Sequence, residues 1–139
     1  MNVRHIRTPA IATLLCAMLT QASALTVQIR SEQPETVMIT LHAKAGAEAE
    51  LAQVIARHWE TAQRLKLVTD APHVTLRGTE AAEGAMRTFF VDVFTWRDAS
   101  IPDAAPKEIL AIWADMNRLV EKRNGRPGLT IDEMTLVAK

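Results

Sequence analysis

His42 and Asp92 are the two residues of this sequence whose types and setting most readily suggest chemistry. His42 ends an alternating stretch that begins at Thr36, and Asp92 lies within Phe89-Phe90-Val91-Asp92-Val93-Phe94-Thr95-Trp96. By the two-residue period of a strand, His42 shares a side with Met38 and Thr40, and Asp92 shares one with Phe90, Phe94 and Trp96. With both sets on the face away from the helices, an imidazole and a carboxylate would meet in an aromatic-walled cleft. A carboxylate there can orient the imidazole as a general base for a phenolic proton. The resulting phenolate is electron-rich enough to react with dioxygen. The plainer reading is a strand-end histidine and an aspartate held by backbone or arginine at a dimer seam.

Around this pair, Trp96, Phe90 and Phe94 are the expected substrate-binding residues. Trp96 ends its strand at the mouth of the presumed cleft, where an indole can stack on a flat ligand or pack a dimer. Arg77 and His73, at the same parity as Thr75, are placed to bind an anionic group at the rim, or to belong to a solvated edge strand. His58, Trp59 and Trp113 fall on helix stripes and read as core. No metal site is expected, because His42, His58 and His73 lie on different elements without ligand spacing. Neither a glycine-rich phosphate loop nor a Gly-x-Ser-x-Gly elbow occurs.

The elements that would position these residues follow from periodicity. Thr36 to Lys44 reads as a strand, with Val37, Ile39 and Leu41 on one face. Ala47 to Leu67 is a helix carrying Leu51, Val54, Ile55, His58, Trp59, Ala62 and Leu65 at three- and four-residue steps. His73 to Thr79 is a short strand, Glu80 to Ala85 a hairpin connection, and Met86 to Trp96 a strand apolar on both faces. A second helix starts at Pro106 and is expected to end at Asn124-Gly125. Leu129 to Val137 is the last strand, with a bulge expected near Asp132-Glu133. The order βαββαβ is the split βαβ arrangement: α+β, an antiparallel sheet with two helices on one face. Phe90, Phe94 and Trp96 would then be exposed together on the other face, which predicts a homodimer packed sheet to sheet.

The start of the chain has a different character. Arg4, His5 and Arg7 precede an apolar run from Ala10 to Leu19, and Ala22-Ser23-Ala24 forms a small-x-small site. This is the pattern of a signal peptide over 1–24, cleaved after Ala24. The run is too short to span a bilayer, which takes about 20 residues, so no stable membrane anchor is expected after cleavage. Residues 25–35 read as an N-terminal arm or edge strand, and 36–139 as the domain. Cys16 is the only cysteine and would leave with the signal, removing disulfide and thiolate chemistry. The formal charge of zero becomes −2 once Arg4 and Arg7 are gone. With no basic stripe, nucleic acid is an unsuitable partner. Export to the periplasm or beyond takes the protein away from reduced flavin and nicotinamide, so no cofactor is expected.

The chain resembles the antibiotic-biosynthesis-monooxygenase-like domains of the dimeric α/β-barrel, ferredoxin-like superfamily. The resemblance spans Thr36 to Val137. It rests on the first strand running into Lys44-Ala45-Gly46-Ala47-Glu48 and on the strand Phe-Val-Asp-Val-Phe-Thr-Trp-Arg ending at Arg97. It implies a cofactor-independent monooxygenase acting on an aromatic or polycyclic small molecule, or a non-catalytic dimer that binds a small hydrophobic ligand. Haem-degrading members are similar to one another in an Asn on the first strand, a Trp on the third and a His on the second helix. Here only Trp96 matches, so haem degradation is disfavoured.

Overall fold

The computed structural model describes residues 33–135 and 137. The expected signal peptide and most of the expected arm, residues 1–32, lie outside them. Four strands and two helices follow in the order β1 (Glu35–His42), α1 (Glu48–Arg64), β2 (Val74–Ala82), β3 (Ala85–Trp96), α2 (Lys107–Leu119) and β4 (Leu129–Met134), with a short 3₁₀ turn at Ile101–Ala104. The sheet order is β2-β3-β1-β4, and every pair is antiparallel. This is the split βαβ topology, an α+β fold with β1 and β3 at the centre of the sheet.

Local chemistry accounts for the boundaries. β2 and β3 are joined by Glu83-Gly84, both at positive φ (52° and 76°), a two-residue turn whose twist suits a hairpin. The strands therefore run closer to the turn than the alternation alone predicts. Pro106 stands at the N-cap, one residue before the helix and not at its expected first position, and the helix ends at Leu119. Val120 leaves it in an extended conformation and bridges to Ala43. Asn124 and Gly125, expected to terminate α2, instead form a separate tight turn with φ of 50° and 75° between bridged Arg123 and Arg126. The expected bulge in β4 does not form: Leu129 to Met134 pair with β1 in unbroken register.

α1 and α2 run antiparallel over one face of the sheet. Three ion pairs tie their outer surfaces, Glu50 to Arg118, Arg57 to Asp115 and Arg64 to Glu108. All are exposed, so each is worth about 0–1 kcal/mol. The core beneath them is built from Leu51, Val54 and Ile55 of α1, Ile109, Ile112 and Met116 of α2, and the inward residues of the sheet.

The register of β1 against β3 decides which residues those are. Val37 faces Phe94, Ile39 faces Asp92 and Leu41 faces Phe90. Opposed residues of an antiparallel pair share a face, so Phe90, Asp92, Phe94 and Trp96 point under the helices. The expectation that they lie on the open face is overturned. Phe94 is 1 % and Trp96 3 % exposed. The open face carries Met38, Val74, Leu76, Phe89, Val91 and Val93 instead.

The loop after α2 crosses the end of the sheet and is fastened by Arg123. Its guanidinium is buried and donates to the carbonyls of Thr88 (2.7 Å) and Ala43 (2.5 Å). Gly128 passes so close to Glu121 that an added Cβ would meet backbone atoms at 2.9 Å. Backbone cannot move aside as a side chain can. Gly128→Ala is therefore expected to cost about 1–3 kcal/mol, read as a lower urea midpoint at unchanged slope. An unchanged midpoint would show that the crossing is looser than described.

Candidate functional site

The inward face of the sheet and α2 enclose a cleft of about 310 Å³. Its floor is Val37 and Ile39 of β1. Trp96, at the end of β3, and Trp113, on α2, supply two indole walls, and Leu129 and Ile131 of β4 close the side. The polar groups lining it are Glu35, Asn117 and Glu133. The volume lies at the lower end of the range for small-molecule sites, which are likewise mostly apolar with a few polar groups. Such a surface can hold a flat hydrophobic ring against the indoles and present a carboxylate to a polar substituent.

The side chains singled out from sequence are distributed differently than expected. Trp96 does line the cleft. Phe90 and Phe94 share its face but are packed in the core, and Arg77 lies exposed on edge strand β2. Trp113, read as core, is half-buried and forms a cleft wall. Glu35 and Glu133 were missed because one sits at the strand's first residue and the other where a bulge was expected.

His42 and Asp92 are not brought together. His42 faces Phe89 on the open side, whereas Asp92 faces Ile39 on the helix side. His42 is 2 % exposed, under the Arg123 loop, with Nδ1 2.8 Å from Glu80 Oε1 but off the hydrogen-bonding direction. Burial alone would raise the Glu80 carboxyl. The hydrogen bond from Arg126 (2.6 Å) and the neighbouring His42 outweigh it and hold the group below its usual value.

Asp92 has another histidine. Its Oδ1 lies 2.8 Å from His73 Nε2 and accepts the Thr75 hydroxyl at 2.6 Å. The His73 ring stacks on Trp59 of α1, centroids 4.0 Å apart. Thr75 lies directly across from Asp92 in the hairpin. This buried carboxylate is thus satisfied from β2, away from the cleft.

His58 of α1 is 1 % exposed. Its Nε2 accepts the indole N–H of Trp113 at 3.1 Å. Nδ1 is buried with no partner in hydrogen-bonding geometry, an arrangement that costs about 1–3 kcal/mol. Burial lowers the His58 pKa from 6.5 to about 4; Asp92 pulls it up, and His73 pushes it further down. Among the described residues no group of three His, Cys, Asp or Glu is arranged to hold a metal ion.

The lowered His58 pKa sets a pH dependence of stability. Above 6.5 the ring is neutral in both folded and unfolded chains and contributes nothing. Between 6.5 and about 4 the unfolded chain takes up a proton that the folded chain refuses. Stability therefore falls as pH falls, by roughly 3 kcal/mol from this group. Urea unfolding at stepped pH should show this loss, and His58→Phe should remove it. A variant with the wild-type pH profile would contradict the assignment.

No protein-family model matches the chain, and no curated protein matches it. Among solved structures, a variant of SnoaB, a cofactor-independent oxygenase from Streptomyces nogalater, is similar with a TM-score of 0.53 and 18 % identity. The match covers 77 % of this chain and 96 % of that one. A Nitrosomonas europaea protein of unknown function matches over 78 % of this chain and 96 % of its own, at 20 % identity and a TM-score of 0.37. The chain thus has a ferredoxin-like α+β fold similar to that of the SnoaB variant, with a four-stranded antiparallel sheet and two helices on one face.

Proposed function

We propose that this chain is an exported, cofactor-independent oxygenase acting on a flat aromatic small molecule, a polycyclic phenol, in the cleft between Trp96 and Trp113. The observation that carries the reading is the cleft itself: about 310 Å³, apolar, with two indole walls and carboxylates among its few polar groups. The fold shared with SnoaB supports it.

With His42 on the opposite face, proton removal falls to Glu35 or Glu133. The carboxylate takes the phenolic proton, and the phenolate then reacts with dioxygen at a ring carbon. One oxygen atom stays as the second carbonyl of a quinone. The other leaves as water with the hydroxyl hydrogen and the displaced ring hydrogen, so no external reductant is consumed. That balance suits a compartment without flavin or nicotinamide, in keeping with a signal peptide over 1–24. We further propose that the domain pairs as a homodimer through the open sheet face, where Leu76 is 57 % and Val74 43 % exposed.

Purified protein without added flavin, nicotinamide or metal is expected to bind 1-naphthol saturably, with quenching of tryptophan fluorescence, and to consume one dioxygen per quinone formed. Trp113→Ala should weaken binding about tenfold, equivalent to about 1.4 kcal/mol. Binding without oxygen uptake would leave a non-catalytic binding module. The absence of binding by any polycyclic phenol would sink the reading altogether.

The dimer is checked by sedimentation. The mature protein should run as a dimer at micromolar concentration and Leu76→Lys as a monomer, whereas a monomeric wild type would refute the pairing.

A further inference from the structure

Both indoles of the cleft are backed by one side chain that does not itself line it. His58 lies behind them, accepting the Trp113 indole N–H at 3.1 Å and meeting the Trp96 ring edge-on at 5.9 Å. Its ring also meets Phe94 edge-on at 5.5 Å, so His58 sits where the sheet and both helices converge. Trp113 is only half-buried and could satisfy its N–H with water by turning outward. Its N–H is instead directed inward, onto the His58 acceptor.

The unpartnered Nδ1 sharpens the point. A leucine or phenylalanine would fill this part of the core without leaving a buried polar atom unsatisfied. A histidine here is costly for packing. What it supplies that a hydrocarbon cannot is an acceptor aimed at the cleft wall.

We propose that His58 is a positioning residue: its neutral imidazole accepts the Trp113 indole N–H and thereby fixes the wall against which an aromatic ligand lies. The inference rests on the reading of the cleft as an aromatic site. The charged and titratable groups facing His58 are Asp92 from β3 and His73 from the residue preceding β2, of which Asp92 favours protonation and His73 opposes it. Asp92 is itself held by His73 and Thr75. Burial dominates and keeps the ring neutral, which leaves Nε2 free to accept.

The test is nuclear magnetic resonance of the three indole N–H signals, with Trp113 assigned through Trp113→Phe. In His58→Leu the Trp113 signal should move toward the position of a water-exposed indole and exchange at least tenfold faster, while the thermal midpoint does not fall. His58→Gln, which restores an acceptor, should bring the signal part of the way back. Affinity for 1-naphthol should drop about tenfold in His58→Leu and recover in His58→Gln. An unmoved Trp113 signal in His58→Leu overturns the proposal, whatever the ligand does. If His58→Leu does not fold, acid titration of the wild type decides: the Trp113 signal must follow protonation of the His58 ring nitrogens, and independence overturns the proposal. A signal that responds as expected in a protein that binds no naphthol supports the positioning role and removes only the aromatic-ligand reading.

Discussion

The pairing of β1 with β3 is the constraint on which the rest of this structure depends. Setting Ile39 opposite Asp92, it turns Val37, Leu41, Phe90, Phe94 and Trp96 under the helices together. A slip of one residue would exchange the two faces entirely, bringing Phe89, Val91 and Val93 inward and exposing the aromatic set. The same register brings a carboxylate into the core. Thr75 and His73 make that tolerable, because a buried charge without partners is among the most costly groups a fold can contain.

Two polar clusters result, and they are separated by the sheet. On the open side, His42, Glu80, Arg123 and Arg126 join the end of β1 to the loop after α2. On the helix side, Asp92, His73 and Thr75 connect the β2–β3 hairpin to α1 through the stack of His73 on Trp59. Each holds elements distant in sequence, and neither opens into the cleft. The cleft has its own polar lining at the opposite end of β1 from His42, where Glu35 begins the strand.

Much of this was legible in sequence and some was not, for identifiable reasons. The element order and the two helix stripes followed from periodicity, since burial imposes steps of 3.6 and 2 directly. Parity could say that Asp92, Phe94 and Trp96 go together and that His42 goes with Met38. It could not say which set faces the helices, because β3 is apolar on both sides. The partnership of Asp92 with Thr75 was within reach: counting outward from a turn at Glu83-Gly84 places them opposite one another. A connection spanning Glu80 to Ala85, which the alternation suggests, is too long to set that register. Trp113 reads as core because helical spacing identifies a stripe and not which member of it borders an empty space. His58 is packed, as its stripe implies, while its hydrogen bond to Trp113 depends on how α1 and α2 meet, which no local pattern encodes.

The strand that closes the cleft is also the one whose pairing reaches furthest along the chain. β2 and β3 meet across a two-residue turn, whereas Leu129 and Ile131 must find Leu41 and Ile39. Closing so long a loop is entropically unfavourable until the intervening chain has condensed. Topology therefore favours docking of β4 after the hairpin and the helices have formed their contacts. Among the described residues it is an edge strand, paired on one side only, the kind of element that opens at low local cost. A partial opening that lifts β4 would expose the cleft while leaving the β1–β3 pair and the core beneath the helices in place.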